Sequence, residues 1–198
     1  LNKNNEEQLI KYIDDQIENH DLIIISDYGH GFISKKVANH ISNQSLFTTI
    51  NAQINAANIG YHTLNNYNDI DCVIINESEM RHEFRDKDSD IKVLMKKIAI
   101  KSKFSNVVVT QGSQGAQLYN MQNDEYFHCP AFASKVVDKI GSGDAMLSLI
   151  SCCLHADLSF DFSLFIGSLA ASQSVETLGN SKPVSKIKLL KAFSHAIK

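Results

Sequence analysis

The 198-residue chain is 43% hydrophobic and 21% charged, enough apolar material for one domain with a buried core. Its net charge of −3 is spread without blocks of like sign, which excludes a basic stripe for nucleic acid and a polybasic membrane patch. The longest apolar runs are far too short to span a bilayer and no signal segment opens the chain, so a cytoplasmic protein is expected.

The chain starts at Leu1 rather than methionine and runs at once into a helical pattern, with Leu9, Ile10, Ile13 and Ile17 on one face. That start is expected of a piece of a longer product. "LIIIS" at 22–26 follows as a short apolar strand of the kind buried on both faces. "ISKKVANHIS" at 33–42 predicts a helix, "LFTTI" at 46–50 and "DCVIIN" at 71–76 predict strands, and "DIKVLMKKIAIKS" at 90–102 predicts an amphipathic helix. "NVVVTQG" at 106–112 predicts a strand stopped by Gly112. Alternation of this kind builds a parallel sheet with helices on its faces.

After Gly112 the order changes. "GAQLYN" and "EYFHC" are two short strands joined by the turn-prone "MQND", an antiparallel hairpin. Helices are then predicted over 144–155, 160–177 and 183–197, with breaks at Leu158–Ser159 and Gly179–Pro183. No linker or internal repeat interrupts the chain, so one domain is expected over 1–198.

Cys72, Cys129, Cys152 and Cys153 show no C-x-x-C spacing and are expected to be buried, reduced thiols. The eight histidines are scattered without metal-ligand spacing, there is no G-x-x-x-x-G-K-[ST], and Ser113 lacks the frame of a hydrolase nucleophile. In open parallel sheets ligands sit beyond the carboxyl ends of the strands, which directs attention to 27–31, 51–58, 76–79 and 110–115. The segment "INAQINAANIGYH", 50–62, with asparagines at 51, 55 and 58, is either a lining of such a cleft or a solvated loop.

The chemistry concentrates in "VVDKIGSGDAMLSLI", 136–150. Gly141, Ser142 and Gly143 precede a helix, so their backbone N–H groups can converge on an anion with the helix dipole adding favourable charge. Glycine admits the anion to the backbone, and turns that aim several amides at one point often need positive φ. Asp144 would repel a phosphate there, which is intelligible if its carboxylate takes the proton from an attacking hydroxyl. The spacing leaves a second reading equally open, in which Asp144 caps the helix.

"VVDKIGSGDA" closely resembles the D-x-x-G-A-G-D motif of the ribokinase, or PfkB, family of carbohydrate kinases. "VVVTQGSQGA" is similar to its V-T-x-G-x-x-G segment, "NESE" at Asn76–Glu79 to its N-x-x-E motif, and "SDYGHG" at Ser26–Gly31 to the D-Y-x-K-G segment of a heptose-kinase branch. The four motifs occur in family order from about Leu22 to the C-terminus. Lys139, Ser142, Leu149 and His30 depart from the family pattern. Segment 50–62 resembles a subset of these kinases fused to nucleotidyltransferase domains.

The resemblance implies a three-layer α/β/α, ribokinase-like fold with a mostly parallel sheet and one antiparallel hairpin. It implies transfer of the γ-phosphoryl group of ATP to a hydroxyl of a sugar or sugar phosphate, with Asp144 as base and the amides of Gly141, Ser142 and Gly143 as anion hole. Asn76 and Glu79 would order Mg²⁺ through water, Thr110, Gly112 and Gly115 would shape the nucleotide floor, and Asp138 would support the turn. Gly179 would edge the base pocket, or simply end a helix. The family's N-terminal part, with a diglycine sugar motif and a lid region through which members pair as homo-oligomers, is not found ahead of these motifs. The span is therefore expected to be inactive by itself, and a catalytically silent nucleotide-binding or scaffold domain is the alternative.

Overall fold

A computed structural model of the chain describes residues 3–53, 64–179 and 181–196. Helix α1 (Lys3–Ile17) leads into β1 (Leu22–Asp27), α2 (Lys35–Ser42) and β2 (Phe47–Ala52). β3 (Cys72–Asn76), α3 (Glu77–Phe84), α4 (Ile91–Ser102) and β4 (Asn106–Thr110) follow. The hairpin of β5 (Ala116–Asn120) and β6 (Glu125–Cys129) precedes α5 (Ser142–His155), α6 (Phe160–Val175) and α7 (Lys186–Ala196). The six strands lie side by side in chain order. β1 to β4 are parallel; β5 runs antiparallel to both β4 and β6.

Strand periodicity divides the apolar residues between two faces. Val73, Ile75, Val107 and Val109 join a core with Val37 and Ile41 of α2, Met80 of α3 and Leu94, Met95 and Ile98 of α4. Cys72, Ile74, Val108 and Leu118 point the other way, against Met146, Leu147, Ile150 and Leu154 of α5 and Leu164 of α6. Each such buried aliphatic side chain contributes roughly 1.5–3 kcal/mol. The result is the expected three-layer α/β/α architecture with a mostly parallel sheet and one hairpin.

α5 is held in register by more than apolar contact. Thr49 Oγ1 and Ser151 Oγ meet at 2.6 Å in the interior, and Ser151 also donates to the Leu147 carbonyl, so the Thr49 hydroxyl is the donor of the pair. On α6, Gly167 lets the two helices close: a Cβ there would stand 2.5 Å from Ile150 Cγ1.

Three expectations change. β1 is not buried on both faces: it is an edge strand of the sheet, and Ile24 is 40% exposed. Helix α3 follows directly on the strand predicted at 71–76, in a stretch where no element was expected. Its polar "ESEMRHEF" buries a single residue, Met80, so no apolar stripe announces it; a capping box starts it and Arg85, at φ 51, ends it. Among the cysteines, Cys72, Cys129 and Cys153 are buried, and burial raises their thiol pKa values, but Cys152 is exposed. It lies in a helix whose adjacent position, Cys153, faces inward, and successive helical residues turn away from one another. Asn55 and Asn58 lie outside the described residues.

Candidate functional site

The carboxyl ends of β1, β2, β3 and β4 lie along one edge of the sheet, and the chain crosses this edge again at the start of α5. Gly141 is the N-cap of α5, at φ 80, a left-handed conformation that a Cβ disfavours. Gly143 differs from expectation, for it lies within the first helical turn and is not among the positive-φ glycines. Around the turn, Ser142 Oγ donates to the Lys139 carbonyl at 2.9 Å, while the Ser142 amide leans on the same carbonyl at 3.4 Å. The Ala145 amide closes on the Gly141 carbonyl. The amides of Gly143 and Asp144 find no backbone partner among the described residues. These two N–H groups, at the positive end of a 14-residue helix, are therefore available to an anion.

Asp144 does not cap its own helix. Its Oδ1 accepts from Ser26 Oγ at 2.9 Å and its Oδ2 from the Tyr28 hydroxyl at 3.1 Å. Both donors come from the loop end of β1, across the sheet edge from α5. That loop is itself anchored: Asp27 is buried and accepts from the Gly29 amide at 2.9 Å and from the hydroxyl of the fully buried Tyr67. Burial first, then the hydrogen bond to Asp27, pushes the Tyr67 phenol well above its ordinary pKa, so it stays a proton donor. Tyr67 and Asp27 thus hold Ser26 and Tyr28 where they can orient the Asp144 carboxylate.

Asp138 forms a clasp ahead of the turn. Oδ1 accepts from the Ile140 amide at 3.0 Å and Oδ2 from the Gly179 amide at 2.9 Å, while the Val137 and Asp138 amides donate to the Val175 carbonyl. The amides of Ile140 and then Gly179 hold the Asp138 carboxyl below its usual value. This brings Gly179, 41 residues away in sequence, beside the turn.

At the end of β3, Asn76 Oδ1 accepts from the Glu79 amide at 2.8 Å, and Glu79 Oε2 accepts from the Asn76 amide at 3.1 Å. Asn76 pairs in the ladder with Thr110, which in turn pairs with Ala116. Gln111, next in the chain, donates to Glu77 Oε2 at 2.8 Å and accepts from Gln117 at 2.7 Å. Gln111 foremost, with Arg81, lowers the Glu77 pKa. Gly112 has φ 58 with open space around it, whereas Gly115 is confined: a Cβ would stand 2.0 Å from the Cys129 carbonyl oxygen.

The structure thus brings Asp144, Gly141, Ser142 and Gly143 together, links Asp138 to Gly179, and sets Asn76 and Glu79 beside Thr110. Ser26 and Tyr28 as partners of Asp144 were not evident from sequence, since 116 or more residues separate them. Glu77 and Gln111 were missed too, because nothing local marks a pair from adjacent strand ends. The N-x-x-E spacing of Asn76 and Glu79 doubles as a capping box, the one sign in the sequence that could have revealed α3. No three His, Cys, Asp or Glu side chains cluster as metal ligands among the described residues. No helix among them is long and apolar enough to cross a membrane.

Fold and site together define an α/β protein with two unpaired backbone amides at a helix N-terminus, beyond the carboxyl ends of parallel strands, and a carboxylate beside them. A match to the pfkB family of carbohydrate kinases covers residues 2–187, and the chain belongs to that family. It is 26% identical over 183 residues to the bifunctional protein HldE of Trichlorobacter lovleyi, covering 89% of this chain and 36% of that protein. It is 24% identical to HldE of Bradyrhizobium sp., covering 96% and 39%. The chain therefore spans little more than a third of the length of these relatives. Phosphofructokinase-2 from Escherichia coli, in complex with potassium, superposes with a TM-score of 0.79 at 17% identity, over all of this chain and 64% of that one. Arabidopsis thaliana ribokinase, complexed with ribose and ATP, gives 0.72 at 21% identity, over 90% and 58%.

Proposed function

We propose that the protein carrying this chain transfers the γ-phosphoryl group of ATP to a hydroxyl of a sugar or sugar phosphate, with Asp144 as the general base. Family membership supports a carbohydrate kinase, and the ribose and ATP of the ribokinase neighbour support the donor and the acceptor class. The single observation that carries the assignment of the base is the aim of Asp144. Its carboxylate turns away from its own helix amides toward two hydroxyls of the β1 loop, which fix it without using up its four lone-pair sites.

The acceptor hydroxyl would lie against Asp144, which takes its proton as the oxygen attacks the γ-phosphorus. The amides of Gly143 and Asp144, presented by the turn that Gly141 opens, hold the negative charge of the transferred group. Ser142 contributes through the turn it closes. Thr110, Gly112 and Gly115 shape the nucleotide floor, Asp138 holds the turn, and Gly179 edges the base pocket. Asn76 and Glu79 suit a small, hard cation that keeps its waters, since they offer oxygens singly rather than as a cage. Mg²⁺ held there through water would neutralise charge between phosphates.

We place the protein in the cytoplasm, with a fused nucleotidyltransferase domain in keeping with relatives called bifunctional. Self-association through a lid region is part of the same reading; one phosphofructokinase-2 neighbour is tetrameric. The span alone is expected to turn over little, because it covers little more than a third of the length of its HldE relatives. The test is ADP release by the protein carrying this chain against a panel of sugars and sugar phosphates. Acceptor-dependent release that Asp144→Asn abolishes is expected; nucleotide binding without any acceptor-dependent release would favour the silent-domain alternative.

A further inference from the structure

Asn51 stands out among the polar residues of the sheet. It sits at the carboxyl end of β2, between Ser26 of β1 and Ile74 of β3 in the ladder, and only 6% of its surface is exposed. Thr49, two residues earlier on the same face, also points at α5, and the fold gives it a partner in Ser151. Asn51 receives none: its Oδ1 is buried without a hydrogen-bond partner among the described residues. An apolar side chain of similar size would escape the desolvation of an unpaired carbonyl, so the amide is not there for the benefit of the fold.

The orientation of the side chain supplies the reason. Asn51 Nδ2 lies against the first turn of α5, 3.7 Å from where a Cβ on Gly143 would stand, and that turn carries the two available amides. Turning the NH₂ group toward the turn is what leaves Oδ1 facing the interior. We propose that Asn51 is a ligand-binding residue that donates through Nδ2 to the phosphoryl group held at the N-terminus of α5. The proposal rests on the phosphoryl-transfer reading above and adds to it a side-chain donor from the sheet. A carboxamide suits the place. It adds a donor without a second carboxylate beside Asp144, and, held by burial in one orientation, it needs no rearrangement when the anion arrives.

The test compares Asn51→Leu and Asn51→Ser with the parent, in the protein that carries this chain. Melting temperature is measured without ligand, and affinity for ATP–Mg²⁺ and ADP–Mg²⁺ by calorimetric titration. Asn51→Leu is expected to melt at or above the parent temperature while ATP–Mg²⁺ affinity falls by roughly 10- to 100-fold, the loss of one hydrogen bond to a charged group. ADP–Mg²⁺, which lacks the transferred group, should lose less. Asn51→Ser, which is smaller and keeps a polar group, covers the case in which Asn51→Leu does not fold, and should show the same difference between the two nucleotides. Unchanged ATP affinity in the folded variants, or equal losses for ATP and ADP, would overturn the assignment. If Asp144→Asn still abolishes turnover in that event, the phosphoryl-transfer reading stands and only the role of Asn51 falls. A parent protein that binds no nucleotide would overturn both.

Discussion

Two glycine-rich turns, Gly112–Gly115 and Gly141–Gly143, look alike in sequence and do different work. Gly115 is glycine because of the fold: with φ 91 and a Cβ position 2.0 Å from the Cys129 carbonyl oxygen, no side chain fits without moving backbone. Gly143 meets nothing nearer than Asn51 Nδ2 at 3.7 Å and lies in an ordinary helical turn, so the fold would accept alanine there. A glycine that the fold does not require is in keeping with the proposed anion site, where a side chain would block the backbone.

The sharpest way to test that contrast is at the functional turn itself. Asp144→Asn keeps the size of the side chain and can still accept from one of the two hydroxyls while its NH₂ donates to the oxygen of the other, but it removes the basicity. The kcat of the protein carrying this chain is expected to fall about 10²–10⁴-fold, with ATP affinity held. Steady-state kinetics that retained more than about a tenth of parental kcat would remove Asp144 from catalysis.

Next in size is Gly115→Ala. Its left-handed backbone and the contact with Cys129 and Pro130 should cost on the order of 3 kcal/mol. Thermal melting should fall by about 10 °C for a chain of this length. An unchanged melting temperature would erase the distinction between the turns.

Gly143→Ala should do the opposite. Stability should hold or rise by about 0.4–1 kcal/mol, because alanine narrows the unfolded ensemble and favours helix. Its methyl group would stand where the phosphate approaches, so ATP affinity measured by titration should drop about tenfold, equivalent to about 1.4 kcal/mol. Full affinity in that variant would mean the turn is not the anion site.

The smallest effect is expected at Asp138, whose half-buried carboxyl is held below its ordinary value by the amides of Ile140 and Gly179. A depressed folded-state pKa stabilises the protein above the unfolded value of about 4, and this contribution is lost as pH falls through the folded value. Parent and Asp138→Asn melting curves should therefore differ slightly at neutral pH and converge below about pH 4. Curves that stay equally separated at pH 3 would show that the clasp acts through size rather than charge.

Much of this architecture was legible in the linear sequence because its signals are local. The apolar runs at 72–75 and 107–109 mark strands buried on both faces, the run at 22–25 marks a strand, and the period of 90–102 marks α4. The helix start at the Gly-Ser-Gly-Asp turn was equally readable, since the glycines stand directly before an apolar helical run. The polar α3 escaped because a helix with one buried side chain carries no apolar period. What only tertiary structure decided was the surroundings of each turn. Spacing could not tell whether Asp144 caps its helix; Ser26 and Tyr28, delivered by a neighbouring strand, take its carboxylate instead. Nor could it separate Gly115 from Gly143, because the carbonyl that forbids a side chain at one, and the open approach at the other, come from strands that meet only when the sheet forms.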